Sequence, residues 1–146
     1  MDNKILFYSS NADYFEFSNF AKYPITINNI TYPTSEHYFQ SKKFEGTKYE
    51  EAIRLVSSPS ECAKLGRNKS FPLRKDWEKV KEDVMMTALR AKFTQHQKLK
   101  ELLLSTQNKT IIEHTKKDSY WADGGDGTGK NRLGVLLMAL REELKN

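Results

Sequence analysis

Glu36, Gln40 and Lys43 bring a carboxylate, a carboxamide and an amine together at positions i, i+4 and i+7 of one short stretch. On a helix that spacing stacks all three on a single face. A carboxylate there can stabilise positive charge building on a substrate carbon or activate a water. An amine sheltered from solvent can act as a nucleophile. Each residue also has a simpler role open to it: a carboxylate in a first helical turn is favoured by the helix dipole, and Lys43 can pair with Glu36 or with a phosphate.

The flanking residues dictate the helix. Pro33 ends what precedes it, and Thr34 or Ser35 can cap the first turn through a side-chain oxygen. Upstream, Ile25-Thr26-Ile27 and Ile30-Thr31-Tyr32 flank Asn28-Asn29, a pair that tolerates positive φ, so the spacing predicts a two-residue hairpin. Lys4 to Ser10 reads as a short, largely buried strand. Downstream, the pattern predicts a helix over Lys48 to Ser57 with Ala52, Ile53 and Val56 along one stripe. Ser58-Pro59-Ser60-Glu61 has the form of a capping box, opening a short helix that stops near Gly66. After a basic loop, 67–75, Asp76 can cap a helix to about Phe93, with Trp77, Val80, Val84, Ala88 and Ala91 at helical spacing. A further helix carries Leu99, Leu102, Leu103 and Thr106, and Thr110 to His114 reads as a strand. Leu133, Leu136, Leu137, Leu140 and Leu144 mark a last helix facing the core.

Two other stretches carry candidate chemistry. Tyr14 to Phe20 interleaves four aromatics with Ser, Asn and Glu. Phe17 and Phe20 can stack on a flat heterocycle while Ser18 and Asn19 bond its edge, or they can anchor a loop to the core. Ser119 to Asn131 holds four of the seven glycines. From Gly124 it satisfies Gly-x4-Gly-Lys, but Asn131 stands where a magnesium-binding hydroxyl belongs and no buried strand precedes it, so a nucleotide triphosphatase is rejected. What remains is a glycine turn whose amides, with Lys130 and Arg132, can hold a phosphate. Asp123 or Asp126 can assist chemistry or simply cap that turn.

Composition sets the outer limits. The 146 residues suit one domain, with aromatics at 12% to fill a core. The net charge of +5 is local in origin: residues 64–100 hold eleven Lys or Arg against four Asp or Glu, a surplus of 11 − 4 = 7. That surplus can seek phosphate or be the solvated faces of two helices. Cys62 alone permits no intrachain disulfide, no apolar run nears the ~20 residues of a bilayer span, and no leader opens the chain, so a cytoplasmic setting away from membranes is expected. With three histidines and one cysteine showing no ligand spacing, neither metal nor cofactor is expected. Gly-x-Ser-x-Gly is absent as well.

Taken in order, Phe17-Ser18-Asn19-Phe20, Pro33 through Gln40 to Lys43-Phe44, Leu73 to Trp77, Tyr120-Trp121 with the glycine turn, and Asn131-Arg132-Leu133-Gly134 resemble the NADAR family, also called YbiA-like. The resemblance spans nearly the whole chain and looks closest to the bacterial YbiA type of stand-alone N-glycosidase. It implies an α+β fold over residues 1–146 as a single compact domain, predominantly helical with a few short strands including a hairpin. The implied reaction is cleavage of the bond between a ribose carbon and a heterocycle's nitrogen. For the YbiA type, the implied substrates are phosphorylated ribosylaminopyrimidine intermediates of riboflavin synthesis, with ribose 5-phosphate released. For other members the implied substrate is ADP-ribosylated guanine in nucleic acid, and a non-catalytic module binding ADP-ribose or nucleic acid would use the same aromatics and basic surplus. By motif position, Glu36, Lys43 and Asp123 are the catalytic candidates. Phe17, Ser18, Asn19, Phe20, Gln40, Trp77, Trp121, Lys130 and Arg132 are the candidates for binding substrate.

Overall fold

The computed structural model describes residues 3–8 and 12–145. Its strands are β1 (Lys4–Phe7), β2 (Ile25–Ile27), β3 (Ile30–Tyr32) and β4 (Thr110–Glu113). Its α-helices are α1 (Ser35–Lys42), α2 (Lys48–Arg54), α3 (Pro59–Gly66), α4 (Trp77–Gln95), α5 (Gln97–Ser105) and α6 (Arg132–Leu144). The architecture is α+β and mostly helical, as the sequence predicts. Ser9 and Ser10, read as the end of the first strand, lie outside the described residues.

The chain divides into two compact units: Lys22–Gln95, and the segment through Ala21 together with the chain from His96 onward. In the Lys22–Gln95 unit, β2 and β3 pair antiparallel with Ile25 opposite Tyr32. Asn28 and Asn29 both take positive φ (53° and 68°), the backbone that a tight two-residue hairpin demands. Ile25, Tyr32 and Tyr38 pack with Ala88 and Ala91, so hairpin, α1 and α4 share one core. A second cluster joins Phe44, Ile53 and Cys62, with Phe71 of the basic loop against it.

One helix boundary and two cap contacts depart from expectation. Helix α2 stops at Arg54 rather than Ser57, with Leu55 as its C-cap, and beyond it the Val56 carbonyl accepts a hydrogen bond from His37 Nε2 at 2.9 Å. Ser58 caps α3 through the Glu61 amide at 3.1 Å, but the Glu61 carboxylate accepts from Ser57 Oγ at 2.8 Å, so the box is only half formed. Asp76 sits where a cap belongs, yet its carboxylate is gripped by the Arg74 guanidinium at 2.6 and 3.0 Å. A bidentate charged pair outcompetes a single neutral amide.

In the other unit β1 and β4 run parallel, Ile5 opposite Ile111, and α6 packs on β4. The approach is close: a side chain at Gly134 would strike the Ile111 carbonyl oxygen and the Asn131 carboxamide. Arg141 of α6 is buried, donating to Thr106 Oγ1 at 2.9 Å and to the Lys109 carbonyl at 2.8 Å.

Candidate active site

Helix α1 is almost entirely buried, including Ser35, Glu36, His37, Gln40 and Ser41, which explains how so polar a helix organises its unit. Polar groups taken out of water must find partners. Thr34 caps the helix, accepting from the His37 amide at 3.2 Å, and its hydroxyl meets His37 Nδ1 at 2.8 Å. Since Nε2 donates to the Val56 carbonyl, Nδ1 accepts from Thr34, and the ring is a neutral Nε2–H tautomer locked at both ends. Burial holds the His37 pKa below its ordinary value, consistent with that state. His37 is therefore a brace for α1, a role its position in the sequence did not disclose.

Glu36 is 8% exposed, and Gln40 Nε2 donates to its Oε2 at 2.8 Å. Gln40 Oε1 is buried without a hydrogen-bond partner, and it lies where a side chain at Gly66 would stand. The glycine at the end of α3 thus leaves room for the carboxamide that orients Glu36. Lys43, one turn further, donates to the Gly66 carbonyl at 3.2 Å and lies about 6 Å from the rings of Phe39 (5.9 Å) and Trp77 (6.0 Å). Desolvation lowers the Lys43 pKa; the charge of Glu36 opposes that, while Arg67 and Lys81 reinforce it. A lysine so placed is easier to neutralise than one in water. Trp77 is buried edge-on against Phe39, with ring centroids 5.1 Å apart.

Beside Lys43 opens a cavity of about 130 Å³ whose wall includes Gly66, Arg67, Lys69, Phe71 and Trp77 and contains no carboxylate. Cys62 offers no competing nucleophile: burial, then the charges of Glu36 and Glu61, push its thiol up to about 12. Among the described residues no group of three or more His, Cys, Asp or Glu side chains is disposed to hold a metal ion.

The other expected residues belong to the second unit and take varied positions there. Phe17 is fully buried, edge-on to Phe7 at 5.8 Å and stacked on Tyr14 at 5.5 Å, so it serves as a core anchor. Ser18 and Asn19 are buried, and Ser18 Oγ accepts from the Phe20 amide at 3.1 Å. Phe20 is 40% exposed. Trp121 is half-buried, edge-on to Tyr120 at 5.0 Å, and the exposed Lys130 reaches over the Tyr120 ring at 5.5 Å.

The glycine turn is strapped to itself. Amides of Gly129, Lys130, Asn131, Arg132 and Leu133 donate to carbonyls of Asp123, Ser119, Ala122, Tyr120 and Trp121, all at 2.8–3.1 Å. Those five amides, the first two of α6 among them, are committed to the turn's own carbonyls. Asp123 accepts from His114 Nδ1 at 2.7 Å and from the amides of Gly125 (2.8 Å) and Thr115 (3.2 Å). Burial pushes its carboxyl up, but those donors outweigh it and hold the group below the usual carboxylate range. As placed, Asp123 is an ionised tie for the turn.

An α+β chain with an acid, an amide and a desolvated lysine on its central helix has the outline inferred from the motifs, and the chain belongs to the NADAR domain family, which matches residues 6–145. It is 60% identical over 143 residues to the N-glycosidase YbiA of Shigella boydii serotype 4 (strain Sb227), covering 98% of this chain and 89% of that protein. The NMR structure of the E. coli protein YbiA superposes with a TM-score of 0.90 at 59% identity, covering 99% of this chain and 86% of that one. A riboflavin biosynthesis protein of Vibrio vulnificus (strain YJ016) is 36% identical over 145 residues, covering 99% of this chain and 40% of that protein.

Proposed function

We propose that this chain is an N-glycosidase that hydrolyses the ribose C1–N bond of ribosylaminopyrimidine 5′-phosphates formed in riboflavin synthesis. Similarity to proteins named N-glycosidase YbiA and riboflavin biosynthesis protein supports the reaction class and the pathway. The observation that carries the assignment to residues is the buried Glu36 carboxylate held by Gln40 on the face that also bears Lys43.

Breaking C1–N builds positive charge on the sugar. Glu36 lowers that barrier electrostatically and takes a proton from the incoming water. The water oxygen bonds to C1, the C1–N pair leaves with the pyrimidine nitrogen, and that nitrogen gains a proton. Lys43 provides a covalent variant of the same balance. Its neutral amine bonds to C1 as the C1–N pair leaves with the pyrimidine nitrogen, which gains the lysine's proton. The ribosyl-lysine then opens its ring, C1–O4′ breaking to leave a hydroxyl on C4 and a C1=N imine that water hydrolyses to ribose 5-phosphate and the free amine. Trp77 and Gln40 shape and orient this site.

The test is release of ribose 5-phosphate from ribosylaminopyrimidine 5′-phosphate by wild type and by Glu36→Gln, with thermal melts of both. A loss of roughly 10²-fold or more at an unchanged melt places the chemistry at Glu36. Undiminished turnover in Glu36→Gln removes Glu36 from the mechanism. No turnover by wild type redirects the search to ADP-ribosylated guanine.

A further inference from the structure

The basic cluster of the Lys22–Gln95 unit is not uniform. Lys42 pairs with Glu50 at 2.6 Å, Lys81 with Glu78 at 2.7 Å, and Arg74 with Glu45 and Asp76 at 2.9 and 2.6 Å. Arg54 likewise holds Glu51. Among the described residues Arg67 and Lys69 have no carboxylate partner, and both line the cavity that Lys43 and Trp77 also line. Asn68, between them, accepts from the Ser70 amide at 2.9 Å, which leaves its carboxamide donors available.

The loop bearing these cations is fixed rather than trailing. The Arg74 amide donates to the Lys43 carbonyl at 2.9 Å, Phe71 stacks on Tyr49 at 4.0 Å, and Phe71 meets Phe44 edge-on at 5.5 Å. Arg67 follows directly on the last residue of α3, whose carbonyl Lys43 bonds. Two cations, Arg67 and Lys69, on a small cavity whose wall holds no carboxylate repel one another, and a bound anion relieves that repulsion. At about 130 Å³ the space corresponds to roughly four waters, enough for a phosphate group. A planar guanidinium can grip such a group through two parallel hydrogen bonds.

We propose that Arg67 and Lys69, with Asn68, form the subsite for the substrate's phosphate monoester, so that the phosphate anchors one end of the ribose while C1 is presented to α1. This rests on the N-glycosidase reading for its substrate, but the binding itself is independently measurable. The spacing of paired and unpaired cations separates Arg67 from Arg74: removing Arg74 breaks a structural fork, whereas removing Arg67 strips only the cavity.

The experiment is calorimetric titration of ribose 5-phosphate, and of ribose as control, into wild type, Arg67→Gln and the Arg67→Gln/Lys69→Gln double variant. Thermal melts accompany each, and turnover is measured on ribosylaminopyrimidine with and without its 5′-phosphate. The expected result is tenfold or greater weakening of ribose 5-phosphate binding at an unchanged melt, as for loss of hydrogen bonds to a charged group. A matching fall in kcat/KM is expected for the phosphorylated substrate alone. Equal affinity in wild type and double variant overturns the proposal, as does wild type binding ribose as well as ribose 5-phosphate. If wild type turns over neither substrate while ribose 5-phosphate binding still depends on Arg67, the subsite stands and the N-glycosidase reading falls. If turnover proceeds with kcat/KM unchanged in the variants, the reverse holds.

Discussion

Gln40 reaches Glu36 only because Gly66 has no side chain: the carboxamide donates to Glu36 Oε2 at 2.8 Å from space that a Cβ at Gly66 would occupy. Gly66 takes an ordinary negative φ, so Gly66→Ala strains no backbone, and the nearest atoms its methyl meets belong to the Gln40 side chain. Displacing the carboxamide frees Glu36 to rotate away from its productive orientation. Misplacement of a catalytic group by about 1 Å can cost on the order of 10²-fold. Gly66→Ala is therefore expected to lower kcat by tenfold or more while KM changes little. Gln40→Ala in the same background should add no comparable further loss, since both changes remove one hydrogen bond. Steady-state kinetics on the two single variants and the double variant check this.

Lys43 provides a pH signature. Its pKa lies below the ordinary lysine value, chiefly through desolvation, so the neutral amine appears at lower pH than for a lysine in water. If C1 is attacked by that amine, kcat rises with pH and levels off above the depressed value. Lys43→Arg stays charged throughout and abolishes the rise. Borohydride added during turnover is expected to leave a reduced ribose 5-phosphate adduct on the peptide containing Lys43. Full activity with no adduct assigns Lys43 to electrostatics instead.

The elements positioning this site were legible where their cause is local. Asn28-Asn29 forces the hairpin by its own φ preference, and Thr34 caps α1 from one residue away. Of the stripe Trp77, Val80, Val84, Ala88 and Ala91 on α4, the two valines are only half-buried, while Met85, Leu89 and Phe93 off it are buried, so one helical face understates what the helix contributes. The misreadings arise where two local options compete or the partner is distant. Asp76 can cap or pair, and Arg74, two residues back, wins its carboxylate. Gln40 and Gly66 lie 26 positions apart, and nothing in either neighbourhood reveals that one makes room for the other. The glycine turn's fastening was equally hidden: the carbonyls of Ser119 to Asp123 take the amides of Gly129 to Leu133.

His37 couples stability to pH. Its folded pKa is held below 6.5 by burial, so its contribution is fully present above that value and is lost as pH falls toward the depressed pKa. The slope is at most about 1.4 kcal/mol per pH unit for one proton. Wild type is expected to lose stability to urea between about pH 7 and pH 5, whereas His37→Gln, less stable at pH 7.5, shows a flatter profile. The difference between the two curves isolates His37 from His96 and His114, which both proteins retain. Parallel curves would falsify the role of His37 as a neutral brace.

Asn131 occupies the position that would carry a hydroxyl in a phosphate loop, and its carboxamide does something else. Nδ2 donates to the Ile111 carbonyl at 2.9 Å and Oδ1 accepts from the Glu113 amide at 3.1 Å, joining the start of α6 to two alternate residues of strand β4. The residue also holds φ at 51°, which asparagine tolerates better than most. Asn131→Ser completes the motif but orphans two backbone groups, at about 1–3 kcal/mol each, and adds strain at positive φ. It is expected to destabilise by about 2–6 kcal/mol in urea titration and to gain no affinity for nucleoside triphosphate. Asn131→Gly relieves the φ strain but not the lost hydrogen bonds, so it should recover only part of that loss. Full recovery would mean that backbone conformation, rather than the tie to β4, is what selects asparagine at this position.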